Sequence, residues 1–106
     1  MAYKLKITPE AEKDLDEIRD YIATRFMSEQ ALTNTLGGIR DTILKLSDFP
    51  EIGIDVSQRV NKQFSKKHTL RMIIAGSYLV FYVFDGRGVS VLRVLYQKRD
   101  WVTIFR

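Results

Sequence analysis

Cysteine is absent from this 106-residue chain and histidine occurs once. Without cysteine there is no disulfide scaffold, no thiolate zinc site and no cysteine nucleophile. A lone His68 argues against a histidine-built metal centre, so no metal and no other cofactor is expected. Long hydrophobic runs are missing as well. The stretch from Tyr78 to Phe84 is far too short to cross a bilayer. The opening Met1-Ala2-Tyr3-Lys4-Leu5-Lys6 has neither the apolar stretch nor the small-residue cleavage site of a signal peptide. What remains is 45% hydrophobic and 28% charged, the composition of one ordinary globular domain over residues 1–106. The expectation is a cytoplasmic protein with no membrane partner.

Charge is present, but unevenly. Residues 1–55 carry 7 basic and 11 acidic side chains (net −4), whereas residues 56–106 carry 10 basic and 2 acidic (net +8). A half so basic suits a polyanion or an acidic protein, because clustered cations steer association. The competing reading is that these residues only keep the protein soluble.

Tyr3-Lys4-Leu5-Lys6-Ile7 alternates apolar and basic residues and predicts a half-buried strand. Thr8 then offers an N-cap, Pro9 suits the first helical position, and Glu10 and Glu12 complement the helix dipole. Ala11, Leu15, Ile18 and Ile22 form the apolar stripe of this helix, with Asp14 among the charges assigned elsewhere. Ser28-Glu29 restarts a helical pattern whose stripe is Leu32, Leu36, Ile39, Ile43 and Leu46, so the two helices form an antiparallel hairpin. Gly37-Gly38 interrupts the second helix and implies a bend or, as favoured here, a close approach of two backbones. Phe49-Pro50-Glu51-Ile52-Gly53 stops it, and residues 54–67 read as a loop.

From His68 the pattern becomes strands: His68 to Ala75, Tyr78 to Phe84 and Val89 to Tyr96, joined by tight turns at Gly76-Ser77 and Asp85-Gly86-Arg87-Gly88. The order is β-α-α-β-β-β, an α+β fold with a helical hairpin packed on one face of a mainly antiparallel sheet. Strict alternation puts Val89, Val91, Arg93 and Leu95 on one face of the last strand. Arg93 then either snorkels or ion-pairs, or projects to hold an anion; Arg71 poses the same choice. His68 is a proton-transfer group or a plain strand-entry residue. Tyr96 stacks on a base or donates a proton, or merely ends a strand with a wet tip. Lys98-Arg99-Asp100-Trp101 suits RNA and a protein interface equally.

The string Thr8-Pro9-Glu10-Ala11-Glu12-Lys13-Asp14-Leu15-Asp16-Glu17-Ile18, followed by Tyr21-Ile22 and by Leu46-Ser47-Asp48-Phe49-Pro50-Glu51-Ile52-Gly53, resembles the RelE/ParE toxin superfamily of bacterial type II toxin–antitoxin modules. Arg71, Tyr78-Leu79-Val80-Phe81-Tyr82 and Val91-Leu92-Arg93-Val94-Leu95-Tyr96-Gln97-Lys98-Arg99-Asp100-Trp101 carry the resemblance to the end of the sheet. It implies a growth-arresting toxin neutralised by a cognate antitoxin, with operator DNA bound only through that antitoxin. ParE-like members inhibit DNA gyrase; RelE-like members cleave mRNA on the ribosome. The Phe49–Gly53 turn, and a tail in which Phe105 stands where RelE-like members often have a tyrosine, are similar to ParE. Under the RelE-like alternative, Arg71, Arg93, Tyr96 and Arg99 are the implied catalytic set. In either case Lys62, Lys66, Lys67, His68, Lys98 and Trp101 are the implied target-binding surface.

Overall fold

The computed structural model describes residues 2–60 and 69–105, the side chains of Gln58 and Val60 excepted. Strand β1 (Lys4–Ile7) leads into helix α1 (Pro9–Phe26), which α2 (Glu29–Asp48) follows after a two-residue break. Next come β2 (Ile54–Asp55), α3 (Ser57–Val60), β3 (Leu70–Ala75), β4 (Tyr78–Phe84), β5 (Gly88–Tyr96) and α4 (Trp101–Phe105). The sheet order is β1-β5-β4-β3-β2. β1 runs parallel to β5, and the other neighbours are antiparallel.

The caps act as the sequence implies. The Thr8 hydroxyl accepts from the Ala11 amide, Pro9 opens α1, and the Ser28 hydroxyl accepts from the Ala31 amide to open α2. Met27 adopts the left-handed conformation (φ 49°) that ends α1 and reverses the chain. Ala11, Ile18, Ile22, Ile39, Ile43 and Leu46 then bury against the sheet. The expected helical hairpin on one sheet face is therefore present.

Three expectations need correction. Residues 54–60 are not loop: Asp55 and Ile54 pair with Arg71 and Met72, and the Ser57 hydroxyl accepts from the Leu70 amide to seat α3. Gly37 and Gly38 allow no close approach, since nothing lies within 4 Å of where a Cβ would stand on either. In addition to the expected packing, a second core forms on the other sheet face, where Leu70, Met72, Leu79, Phe81 and Leu95 meet Trp101 and Phe105 of α4. Finally, β5 does not alternate strictly. Phe81 pairs with Arg93 and Tyr82 with Val91, so Leu92 is an extra residue in a β-bulge. Val91 and Val94, three apart, consequently share the helix-side core, while Leu95 joins the opposite one.

On either side of the bulge, α1 and its cap bond the β5 backbone, and the Thr8 amide donates to the Val91 carbonyl at 3.1 Å. The Thr8 hydroxyl donates to the Val91 carbonyl at 2.9 Å, with the Leu92 carbonyl 3.1 Å away. The Asp14 carboxylate accepts from the Val94 amide at 2.9 Å and from Arg93 Nε and Nη2 at 2.7 and 3.0 Å. Asp14 is 5% exposed, not on the solvent side of α1 as its charge suggested. Burying a carboxylate is tolerated when donors replace its water, and here a forked guanidinium and an amide do so.

Asp14→Ala is expected to destabilise the fold by about 3 kcal/mol, because it leaves a half-buried guanidinium and a buried amide without their acceptor. Asp16→Ala removes the exposed 2.7 Å pair with Arg19, and that change is expected to cost under about 1 kcal/mol. Parallel urea titrations of the two variants check the contrast.

Candidate functional site

Among the described residues, a concavity of about 630 Å³ lies between the C-terminal half of α1 and the end of β5. Ile18, Ile22 and Val94 line its floor, Glu17 and Tyr21 stand on the α1 wall, and Tyr96 and Arg99 on the opposite wall. The size is within the range of ordinary ligand or peptide clefts. Tyr78 and Tyr96 meet edge to face at 5.8 Å, and Tyr21 and Phe26 do the same at 6.3 Å. Burial, with Tyr21 and Tyr96 nearby, raises the Tyr78 phenol above its ordinary pKa, so it is neutral at physiological pH. Among the described residues, neither Glu17 nor Arg99 has a side-chain hydrogen bond or salt bridge. A smaller hollow of about 270 Å³ adjoins at Asn34, Gly38 and Gly76, which accounts for the open space at Gly38.

The residues singled out from sequence do not converge. Arg93 is held by Asp14. Arg71 lies at the far side of β4, where Nη1 donates to the Gly53 carbonyl at 2.9 Å and to the Glu51 carbonyl at 3.3 Å. Arg71 opposes Tyr82 whereas Tyr96 opposes Tyr78, and four strand residues amount to about 13 Å before any lateral offset is added. Tyr96 and Arg99 alone share the cleft. Lys98 is exposed beside them. Trp101 is not a surface residue: α4 turns it onto Phe81 with ring centroids 5.1 Å apart, and the Arg59 guanidinium covers it at 4.9 Å. Lys62, Lys66, Lys67 and His68 lie outside the described residues. No group of three or more His, Cys, Asp or Glu fit to hold a metal occurs among the described residues.

Sequence reasoning missed Asp14, Glu17, Tyr21 and Phe26. For Asp14 a signal existed: Ala11, Asp14, Ile18 and Ile22 fit helical spacing as well as the stripe containing Leu15 does. A carboxylate on a buried stripe calls for a buried cation, and Arg93 was the arginine inside a strand.

The model of the ParE toxin of type II toxin–antitoxin systems, parDE, matches residues 5–101. The chain belongs to the ParE toxin family. Its fold resembles a chromosomal ParDE toxin–antitoxin structure from P. aeruginosa, with TM-score 0.68 and 16% identity over 90% of this chain and 96% of that one. It also resembles the RelBE2 toxin–antitoxin complex of Mycobacterium tuberculosis (TM-score 0.57, 18% identity, 91% of this chain and 99% of that one). The archaeal RelE–RelB complex of Pyrococcus horikoshii OT3 matches at TM-score 0.55 and 19% identity, covering 93% of this chain and 99% of that one. No curated protein sequence matches. These likenesses show that this ParE-family chain shares its α+β fold with chains of ParDE and RelBE toxin–antitoxin structures.

Beneath Arg71, a second polar cluster ties the Phe49–Gly53 turn to the sheet. The Gly53 amide donates to the Tyr82 hydroxyl at 2.8 Å. A Cβ at Gly53 would stand 2.6 Å from that oxygen and 2.9 Å from the Met72 carbonyl, so the close approach requires glycine. Burial raises the Tyr82 phenol above its ordinary pKa, more than the Gly53 amide and Arg71 lower it. A phenol whose folded pKa exceeds its unfolded value contributes stability that is full below about pH 10 and lost as pH climbs further. Tyr82→Phe is therefore expected to cost about 1–3 kcal/mol at neutral pH by stranding the Gly53 amide. It is also expected to flatten the alkaline loss of stability. Urea titrations on both sides of pH 10 check both effects.

Proposed function

We propose that this ParE-family toxin arrests growth by binding and inhibiting DNA gyrase in the bacterial cytoplasm, and that a cognate antitoxin holds it inactive until released. One observation carries the reading. Arg71 and Arg93, two of the four side chains that an mRNA-cleaving site would use, are engaged by the Glu51 and Gly53 carbonyls and by Asp14.

Cleaving RNA by activating a ribose hydroxyl needs a base, an acid and cations converging on one phosphate. With Arg71 about 13 Å or more along the sheet from Tyr96, this chain offers Tyr96 and Arg99 in one place and the other two arginines as structural ties. Inhibition by binding makes no such demand; it needs a persistent surface. The match to the ParE toxin model over residues 5–101 supports the same side of the choice.

Production of the toxin alone in a bacterial host is expected to stop growth, shift plasmid topology and leave gyrase-linked DNA breaks, with abundant mRNAs intact. Chloroquine gels and primer extension on the same cultures read both. Discrete in-frame cuts in ribosome-bound mRNA with normal topology would overturn the proposal in favour of the endonuclease.

A further inference from the structure

We infer that the cleft between α1 and the end of β5 is the surface that seizes the target, and that its occupant is a protein segment, not nucleic acid. This rests on the gyrase reading and names where the contact is made. The expected occupant is an amphipathic segment with apolar side chains for the floor, a carboxylate for Arg99 and a cation for Glu17.

The cleft's rim exposes Tyr21, Phe26 and Tyr96, and Met27 follows at the hairpin tip with 87% of its surface in water. Large apolar groups left in water at one place mark an interaction site. Aromatic residues, methionine and arginine are the types enriched at protein interfaces, and aromatic anchors supply most of the energy there. Another exposed apolar patch, Phe49, Ile52, Ile54 and Ile74, gathers about the β2 edge. None of those four residues lines the cleft.

Charge decides the class of occupant. The α1 wall carries Glu17, and Asp14 also lines the cleft. A phosphate backbone drawn to Arg99 would have to run past the Glu17 carboxylate across the cleft, which weakens the electrostatic term that nucleic-acid binding depends on. A protein segment bearing both signs is matched by the same arrangement. The two walls are also fixed in advance: Asp14 on α1 grips Arg93 and the Val94 amide, two residues before Tyr96. A cleft whose walls are tied before binding loses little freedom on closing over its partner.

Tyr21→Ala, Tyr96→Ala and Arg99→Glu change exposed side chains, so their urea midpoints are expected to stay near wild type. Each purified variant is tested for inhibition of gyrase supercoiling, for affinity to gyrase by calorimetry, and for growth rescue by the co-expressed antitoxin. Affinity and inhibition are expected to fall about tenfold or more in each, as for anchors at an interface centre, while Ile74→Ala keeps both. Wild-type inhibition that survives all three changes, or is lost in Ile74→Ala instead, would overturn the cleft assignment and leave the gyrase reading standing. Unchanged gyrase inhibition with loss of antitoxin rescue would make the antitoxin the occupant and overturn it too. If wild-type protein neither binds nor inhibits gyrase, the functional reading fails and this inference with it; loss of mRNA cutting in the same variants would then assign the cleft to RNA.

Discussion

One buried carboxylate holds the two halves of this molecule in register. Asp14 accepts hydrogen bonds from Arg93 and from the Val94 amide, reaching 79 and 80 residues along the chain. The desolvation of a carboxylate costs several kcal/mol, and replacing water with a forked guanidinium and an amide offsets most of it. What the arrangement adds is specificity of place. Where β1 ends opposite Val91, the Thr8 cap of α1 bonds the Val91 carbonyl and Asp14 takes the Val94 amide beyond the bulge at Leu92. A shift of α1 by one turn would leave both the acid and the Val94 amide unsatisfied. The helical hairpin therefore has one energetically acceptable seat on the sheet.

The same accounting changes what the charge distribution means. A net +8 over residues 56–106 suggests a polyanion partner when charges are merely counted. In the folded chain, Arg93 is neutralised by Asp14, Arg71 is absorbed by turn carbonyls, and Arg59 lies over the Trp101 ring. These guanidiniums act as planar multidentate clamps, a task for which arginine suits better than lysine. The basic half thus owes part of its charge to fold construction, while Arg99 on the cleft wall makes no side-chain hydrogen bond or salt bridge among the described residues.

Local chemistry explains what was legible from sequence. Helix spacing, the Thr8-Pro9 and Ser28 starts and the two tight turns are set within a few residues, and each appears where the spacing put it. The β-bulge was illegible because no residue near Leu92 marks it; it exists only in the pairing of β5 with β4. Once missed, it put Val94 and Leu95 on the wrong faces. The second core was hidden for a related reason. Five residues, Trp101–Phe105, are too few to show a helical period, and they fold as α4 because Leu79, Phe81 and Leu95 offer them an apolar floor. Of the candidate site, Tyr96 and Arg99 were legible, while the α1 wall was not, because Glu17 and Tyr21 look like any solvent-facing pair until the sheet is placed beside them.

Cleavage and inhibition by binding make different demands on one and the same fold. Catalysis of phosphodiester cleavage needs charges placed within hydrogen-bond reach of one another, so its evidence is geometric. Inhibition by occupancy needs a surface whose shape survives until the partner arrives, so its evidence is mechanical. In this chain the arginines that would provide the first instead provide the second. Arg93 anchors β5 against α1, and Arg71 anchors the turn that precedes β2. Removing either tie loosens a wall or an edge of the sheet. The consequence is a division along β5: its interior, up to Val94, is committed to holding the fold, and at its end the Tyr96 side chain is exposed on the cleft.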